Sequence, residues 1–146
     1  MKKENEIKVK FSAVSANEAL SRIIVTGFLM PYSPTVEELA DIKTAVSEAV
    51  TNAIVHAYKS DETKFVTLSA NVKANGVFTV SIKDTGCGIP DIHKAMEPLF
   101  TTDAENERSG MGFSIMQTFS DKLKVSSRVG RGTKVTMIKK LSEYKK

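Results

Sequence analysis

The sequence predicts an α+β fold: a two-layer sandwich in which a mixed, mostly antiparallel sheet carries its helices on one face. Three observations predict it. Segments that alternate apolar and polar residues are joined by short turn signals, which makes neighbouring strands antiparallel. Segments of helical period are grouped together instead of alternating one for one with strands. The 146 residues contain no repeat, linker or low-complexity stretch, so residues 1–146 are expected to form a single domain.

The elements follow in order. Ile7, Val9 and Phe11 alternate with lysines, as an edge strand with one buried face does. Ser15 with Glu18 reads as a capping box, and Leu20, Ile23, Ile24, Gly27 and Phe28 recur at helical spacing until Pro31 and Pro34. Thr35 with Glu38 is a second capping box. Behind it, Leu39, Ile42, Val46, Ala49, Val50 and Ala53 mark one face of a helix reaching about Tyr58. Val66, Leu68, Ala70 and Val72 alternate, Asn75-Gly76 turns, and Phe78, Val80 and Ile82 alternate into Asp84. A polar stretch over 91–109 follows, then a helix from Gly112 with Ile115, Met116 and Phe119 on one side. Leu123, Val125, Ser127 and Val129 form a strand, Gly130-Arg131-Gly132 turns, and Val135 and Met137 belong to a last strand.

Composition excludes several classes. With 41% hydrophobic and 26% charged residues, the chain can build a core without disulfide or metal staples. A single cysteine, Cys87, permits no internal disulfide and suits a reducing compartment. The start, Met-Lys-Lys-Glu-Asn-Glu, has no apolar signal core behind it. The apolar run around Ile23 to Met30 falls well short of the ~20 residues that span a bilayer. A cytoplasmic protein with no membrane association is expected. The net charge is +4, but lysines cluster at the ends (Lys2-Lys3, Lys139-Lys140, Lys145-Lys146) while acids are spread through the middle. A nucleic-acid binder concentrates basic residues on one face, so no direct nucleic-acid partner is expected.

Four clusters are able to carry chemistry. Glu48 and Asn52, at i and i+4, share a helical face nearly opposite Val46. Periodicity allows two readings of that face, a solvated surface or the floor of a pocket. In the second reading an amide oxygen joins a magnesium shell and a carboxylate one turn away takes a proton from an attacking hydroxyl. Asp84 with Gly86 and Gly88 closes a strand. It is either a turn or a buried acceptor for a base amine, with glycines that admit close backbone approach. Arg108-Ser109-Gly110-Met111-Gly112 opens a helix, where free N–H groups favour a phosphate. It lacks the features of a P-loop or a dinucleotide fingerprint. Gly132-Thr133, taken alone, is a hairpin turn entering a strand.

Taken in order, Glu48-Ala49-Val50-Thr51-Asn52-Ala53, Asp84-Thr85-Gly86-Cys87-Gly88-Ile89, Ser109-Gly110-Met111-Gly112 and Gly132-Thr133 resemble the N, G1, G2 and G3 boxes of the GHKL ATPase/kinase superfamily. Pro98-Leu99-Phe100-Thr101-Thr102 and Glu107 to Phe113 further resemble its anti-sigma kinase branch. The similarity runs from about Val9 to Met137. It implies the Bergerat ATP-binding fold, ATP and Mg2+ as ligands, and transfer of phosphate from ATP to a protein serine. By resemblance Glu48 is the general base, Asn52 the magnesium ligand, and Asp84 the adenine reader, assisted by Thr133. Gly86 and Gly88 shape the base pocket, while Arg108, Ser109, Gly110, Met111 and Gly112 meet the phosphates beneath a lid over 92–109. Arg22 matches an arginine that contacts partner proteins. The implied partners are a sporulation sigma factor of the sigma F type, an anti-anti-sigma factor as substrate, and a second copy in a homodimer. A general stress anti-sigma kinase, or a sigma-binding module without catalysis, are the alternatives. Asp103 and Asn106 depart from the pattern of the branch within the lid.

Overall fold

The computed structural model describes residues 4–95 and 112–142. Its elements are β1 (Asn5–Ser12), α1 (Ala16–Leu29), a 3-10 turn (Met30–Tyr32), α2 (Val36–Thr51) and a π-helical segment (Asn52–Ala57) that continues α2. After these come β2 (Phe65–Val72), β3 (Val77–Asp84), a single helical turn α3 (Ile92–Ala95), α4 (Gly112–Phe119), β4 (Lys122–Arg128) and β5 (Gly132–Lys140). The strands form one sheet in the order β1-β2-β3-β5-β4, and each of the four pairings is antiparallel. Two hairpins, β2–β3 and β4–β5, supply this arrangement. The crossover after β3 brings the second hairpin back so that β5 lies against β3 and β4 becomes an edge.

The α+β sandwich expected from the period of the sequence is the one observed. Val66, Leu68, Ala70 and Val72 of β2, Phe78, Val80 and Ile82 of β3, and Val135 and Met137 of β5 are buried on one face. Against them lie Val46 and Val50 of α2, both 0% exposed, together with Val25 and Leu29 of α1 and Met116 of α4. Burying each such side chain contributes about 1.5–3 kcal/mol, so this interface dominates the stability of the sandwich.

Two local expectations are corrected. The inward face of α1 is Ser21, Val25, Phe28 and Leu29, not the stripe through Leu20 and Ile23, which are 41% and 67% exposed. The register is set by Phe28, which packs its ring near those of Tyr32 and Phe78. Nor does Ser15 cap α1. Its backbone is already helical (φ −55°, ψ −34°), so its side chain accepts no capping bond. Glu18 turns instead to Arg22 at 3.1 Å and accepts from the Ser47 hydroxyl on α2.

The second capping box forms as the sequence predicts. Thr35 is extended, its hydroxyl accepts from the Glu38 N–H at 3.0 Å, and the Glu38 carboxylate accepts from the Thr35 N–H at 2.9 Å. The other Glu38 oxygen accepts from the N–H of Ser142 at 2.6 Å, which ties the chain beyond β5 to the start of α2. Burial alone would raise the pKa of Glu38, but the donors from Thr35 and Ser142 outweigh it and hold the carboxyl below its ordinary value. A depressed folded pKa contributes stability above the unfolded value of 4.5 that is lost as pH falls through the folded pKa. Replacing Glu38 with Gln is expected to cost roughly 1–2 kcal/mol at pH 7. Denaturation of wild type and Glu38→Gln across pH 2–7 checks this, with the two midpoints converging in acid.

Candidate functional site

The site is built where α2 gives way to the π-helical segment. Ala49, Asn52, Ala53 and His56 present one side of this continuous helix to a cavity of about 660 Å³. The core-face residues Ile82 and Asp84 of β3 and Thr133 and Val135 of β5 form the opposite wall, and the loop from Cys87 to Asp91 and the start of α4 form the mouth. Its volume lies within the range of small-ligand sites, and its walls are mainly apolar with a few convergent polar groups, as such sites require. The π register starts at Asn52 itself: the Tyr58 N–H reaches back to the Ala53 carbonyl at 3.0 Å. Such widened turns recur at functional sites because they re-aim side chains within a helix.

Asp84 is the main polar group of the cavity. It is 7% exposed, and its Oδ1 accepts from the N–H of Gly86 at 2.9 Å and of Thr133 at 3.3 Å. Among the described residues Oδ2 makes no hydrogen bond. Burial raises the Asp84 pKa, and the two backbone donors offset this only in part. The arrangement leaves a desolvated acceptor facing an apolar cavity, suited to a ligand N–H.

Close backbone approach makes this geometry possible. Gly132 has φ +122°, and a Cβ on it would lie 2.1 Å from the Asp84 carbonyl oxygen, so only glycine lets β5 deliver the Thr133 N–H to Asp84. A Cβ on Gly86 would lie 2.4 Å from the Ala57 carbonyl oxygen, at the end of the π segment. Gly88 passes equally close to the Arg128 carbonyl in the β4–β5 turn, at 2.3 Å for a built Cβ. The loop from Thr85 to Ile89 is therefore wedged between helix and hairpin.

The face holding Glu48 and Asn52 is partly covered, and of the two only Asn52 lines the cavity. Both side chains are half-buried beneath the N-terminus of α4: a Cβ on Gly112 would lie 3.1 Å from Asn52 Nδ2 and 3.5 Å from Glu48 Oε2. Among the described residues no group of three or more His, Cys, Asp or Glu is placed to hold a metal. A magnesium ion would be held there by the Asn52 amide oxygen together with phosphate and water, which is the ligand set this ion takes readily. Arg22 lies on α1, outside the cavity, with its side chain 46% exposed. It lines a smaller cleft of about 270 Å³ with Lys43, Ser47 and Glu48, so Glu48 is reached from the side away from Asp84. Of the other residues named from the sequence, Arg108, Ser109, Gly110, Met111, Asp103 and Asn106 lie outside the described residues.

Sequence reasoning missed two residues that hold the site. Tyr58 accepts the Thr85 N–H at 2.7 Å and donates to the Phe65 carbonyl at 2.6 Å, pinning the first residue after Asp84. Ser127 meets the Thr133 hydroxyl at 2.8 Å and accepts the Ile89 N–H at 2.8 Å, closing the loop onto β5. A signal existed for Ser127, because it is polar at the inward position of a strand that carries Leu123 and Val125 on the same face.

The fold agrees with the comparisons. A family model described as a histidine kinase-like ATPase domain matches residues 11–139. A protein of Lysinibacillus sphaericus named anti-sigma F factor is 52% identical, over 94% of this chain and 93% of that protein. One of the same name from Clostridium perfringens (strain SM101 / Type A) is 47% identical, over 95% of this chain and 99% of that protein. Among solved structures, the RsbU and RsbW domains of Rv1364c from Mycobacterium tuberculosis superpose with a TM-score of 0.69 at 17% identity. That match covers 94% of this chain and 32% of the longer one, and supports the fold. The chain belongs to the histidine kinase-like ATPase domain family and, within it, to the anti-sigma F factors.

Asp84→Asn keeps the Oδ1 acceptor but puts an amide donor where the free oxygen stands. ATP affinity is expected to fall at least tenfold, about 1.4 kcal/mol, by titration calorimetry. Because the folded pKa of Asp84 is raised, its burial costs stability once pH rises through that pKa. The Asn variant should therefore melt no lower than wild type at pH 7, with the difference closing below the unfolded value of 3.8.

Proposed function

We propose that this chain is a cytoplasmic anti-sigma factor and ATP-dependent protein serine kinase, a single domain over residues 1–146. In this reading it sequesters a sporulation sigma factor and phosphorylates a serine of an anti-anti-sigma partner. The observation that carries the reading is a buried, half-satisfied carboxylate, Asp84, facing Asn52 across one cavity, with Glu48 beside Asn52 under Gly112 and open to the neighbouring cleft. Asp84 accepts the adenine amine, with Thr133 and a water beside it, while Gly86 and Gly88 let the base lie against backbone. Gly112 and the preceding Arg108, Ser109, Gly110 and Met111 meet the phosphates, and the Asn52 amide oxygen would hold the metal. When bound, magnesium neutralises charge on the transferring phosphate.

Glu48 acts on the acceptor. Its carboxylate takes the proton of the serine hydroxyl as that oxygen bonds to the γ-phosphorus and the bond to the β–γ bridging oxygen breaks, giving ADP and phosphoserine. The smaller cleft beside Arg22 supports this role, because it opens on Glu48 from the side away from the base. The expected outcome is that Glu48→Gln lowers transfer of labelled γ-phosphate to the anti-anti-sigma protein by roughly 10²–10⁴-fold, the usual contribution of a general base. ATP affinity should be retained. Equal transfer by the mutant would remove Glu48 from the role, and no transfer by wild type would leave a sigma-binding module without catalysis.

Partner contact falls to α1. The exposed Leu20 and Ile23 of α1 and Met30 just after it, with Gly27 open beside them, form an outward stripe at helical spacing. This stripe supports a homodimer or partner interface. Arg22 adjoins it and, among the described residues, pairs with Glu18 in an exposed contact that contributes little to stability. Arg22→Glu should weaken sigma-factor binding at least tenfold in a pull-down titration, with ATP affinity and melting temperature unchanged. Loss of both affinities together would make the arginine structural.

A further inference from the structure

The register of the sheet gathers basic residues that the sequence scatters. The face turned away from the helices carries Lys8 and Lys10 on β1 and Lys122, Lys124 and Arg128 on β4, all exposed. Lys83 on β3 stands directly opposite Lys134 on β5, in the middle of the sheet. Lys140 lies at one end of this face, where it donates to the Asn75 carbonyl, and Glu6 is the only acidic strand residue there. Removing these nine side chains from the chain's 21 basic and 17 acidic ones leaves 13 and 16, so the excess of positive charge belongs to this one surface.

Protection of edges accounts for lysines on β1 and β4, which are the two edge strands. It does not account for Lys83 and Lys134. They occupy central strands, form no ion pair among the described residues, and repel each other as directly opposed like charges, which destabilises a sheet. An ordinary solvated face mixes both signs. Between the lysines lies a floor mainly of hydroxyls and an amide, Thr67, Ser69, Asn71, Thr79, Ser81 and Thr136, with Ile138 and Val77 among them at one end.

We propose that this open sheet face docks the phosphate backbone of double-stranded DNA, without reading its sequence. The composition selects the partner. Lysine is depleted in protein–protein interfaces, and here it supplies seven of the eight positive charges. A single strand would be held by stacked aromatics, and Phe65, already covered by Lys10 at 4.6 Å, is the only ring on the strands of this face. A flat bilayer cannot meet both rims of a sheet whose strands turn by roughly 20–25° each, whereas a cylinder lies along such a saddle. The spacing also fits. Alternate residues of an antiparallel strand are about 6.8 Å apart, twice the roughly 3.4 Å rise per phosphate along one DNA strand. The two rims stand about 19 Å apart across four strand intervals, close to the width of a duplex. Serine and threonine hydroxyls between them supply uncharged phosphate contacts. The cavity holding Asp84 opens on the opposite layer, so both surfaces can be occupied together.

The test is fluorescence anisotropy with a labelled 30-base-pair duplex of arbitrary sequence, using the intact protein between 50 and 200 mM salt. Wild type should bind in the range of roughly 10⁻⁴–10⁻⁶ M, and the logarithm of affinity should fall linearly with that of salt, by about 0.9 per phosphate contacted. Lys83→Gln/Lys134→Gln should make this slope shallower by about 1.8 units while leaving ATP affinity unchanged. Lys43→Gln/Lys139→Gln, two lysines on the helix side, should leave the slope as it is. Absence of binding at 50 mM salt overturns the proposal, as does equal loss in both double variants. Binding to phosphatidylserine vesicles or to polyglutamate as tight as to the duplex at equal charge also overturns it, in favour of a membrane or an acidic protein.

Discussion

A single buried carboxylate organises the functional half of this molecule. Asp84 sits at the end of β3 in a place that water barely reaches, and two backbone N–H groups are brought to one of its oxygens. Each donor demands an unusual path. The Gly86 N–H requires the chain to pass under the end of the π segment, and the Thr133 N–H requires a glycine with positive φ where β5 begins. Tyr58 and Ser127 then fix the two ends of the loop. The desolvation cost of Asp84 is offset only in part by those donors, which leaves the carboxylate poised for a ligand donor.

The helical layer meets that requirement from the other side. α2 enters through a complete capping box, buries Val46 and Val50 against the sheet, and widens into a π turn as it reaches the cavity. The same helix therefore provides core packing and the floor of the cavity, and Glu38 locks its start to the chain after β5. A change at the core face of α2 would shift Asn52 and Glu48 as well, so stability and site geometry are coupled along this element.

Charge is separated between the layers. The helices and the mouth of the cavity hold an excess of acids, while the open face of the sheet is almost wholly basic. In the linear sequence, period-two alternation places the strand lysines one at a time between other residues. Pairing in register gathers them into a patch.

Alternation, hairpin turns and the Thr35 box determined the strands, α2 and the two-layer class, since these are local consequences of side-chain period and backbone chemistry. The four boxes likewise named Glu48, Asn52, Asp84 and Thr133 by residue type and order. Whether Glu48 and Asn52 stand open to solvent or covered was not local, because it depends on α4 returning 60 residues later to lie over them. The inward face of α1 was also a tertiary decision: Leu20 and Ile23 fit a helical period as well as Val25 and Leu29 do, and only the position of Phe78 beneath Phe28 selects between them. Contacts between distant segments carry no signature in either segment alone, so Tyr58, Ser127 and the lysine face became visible only once the strands were set side by side.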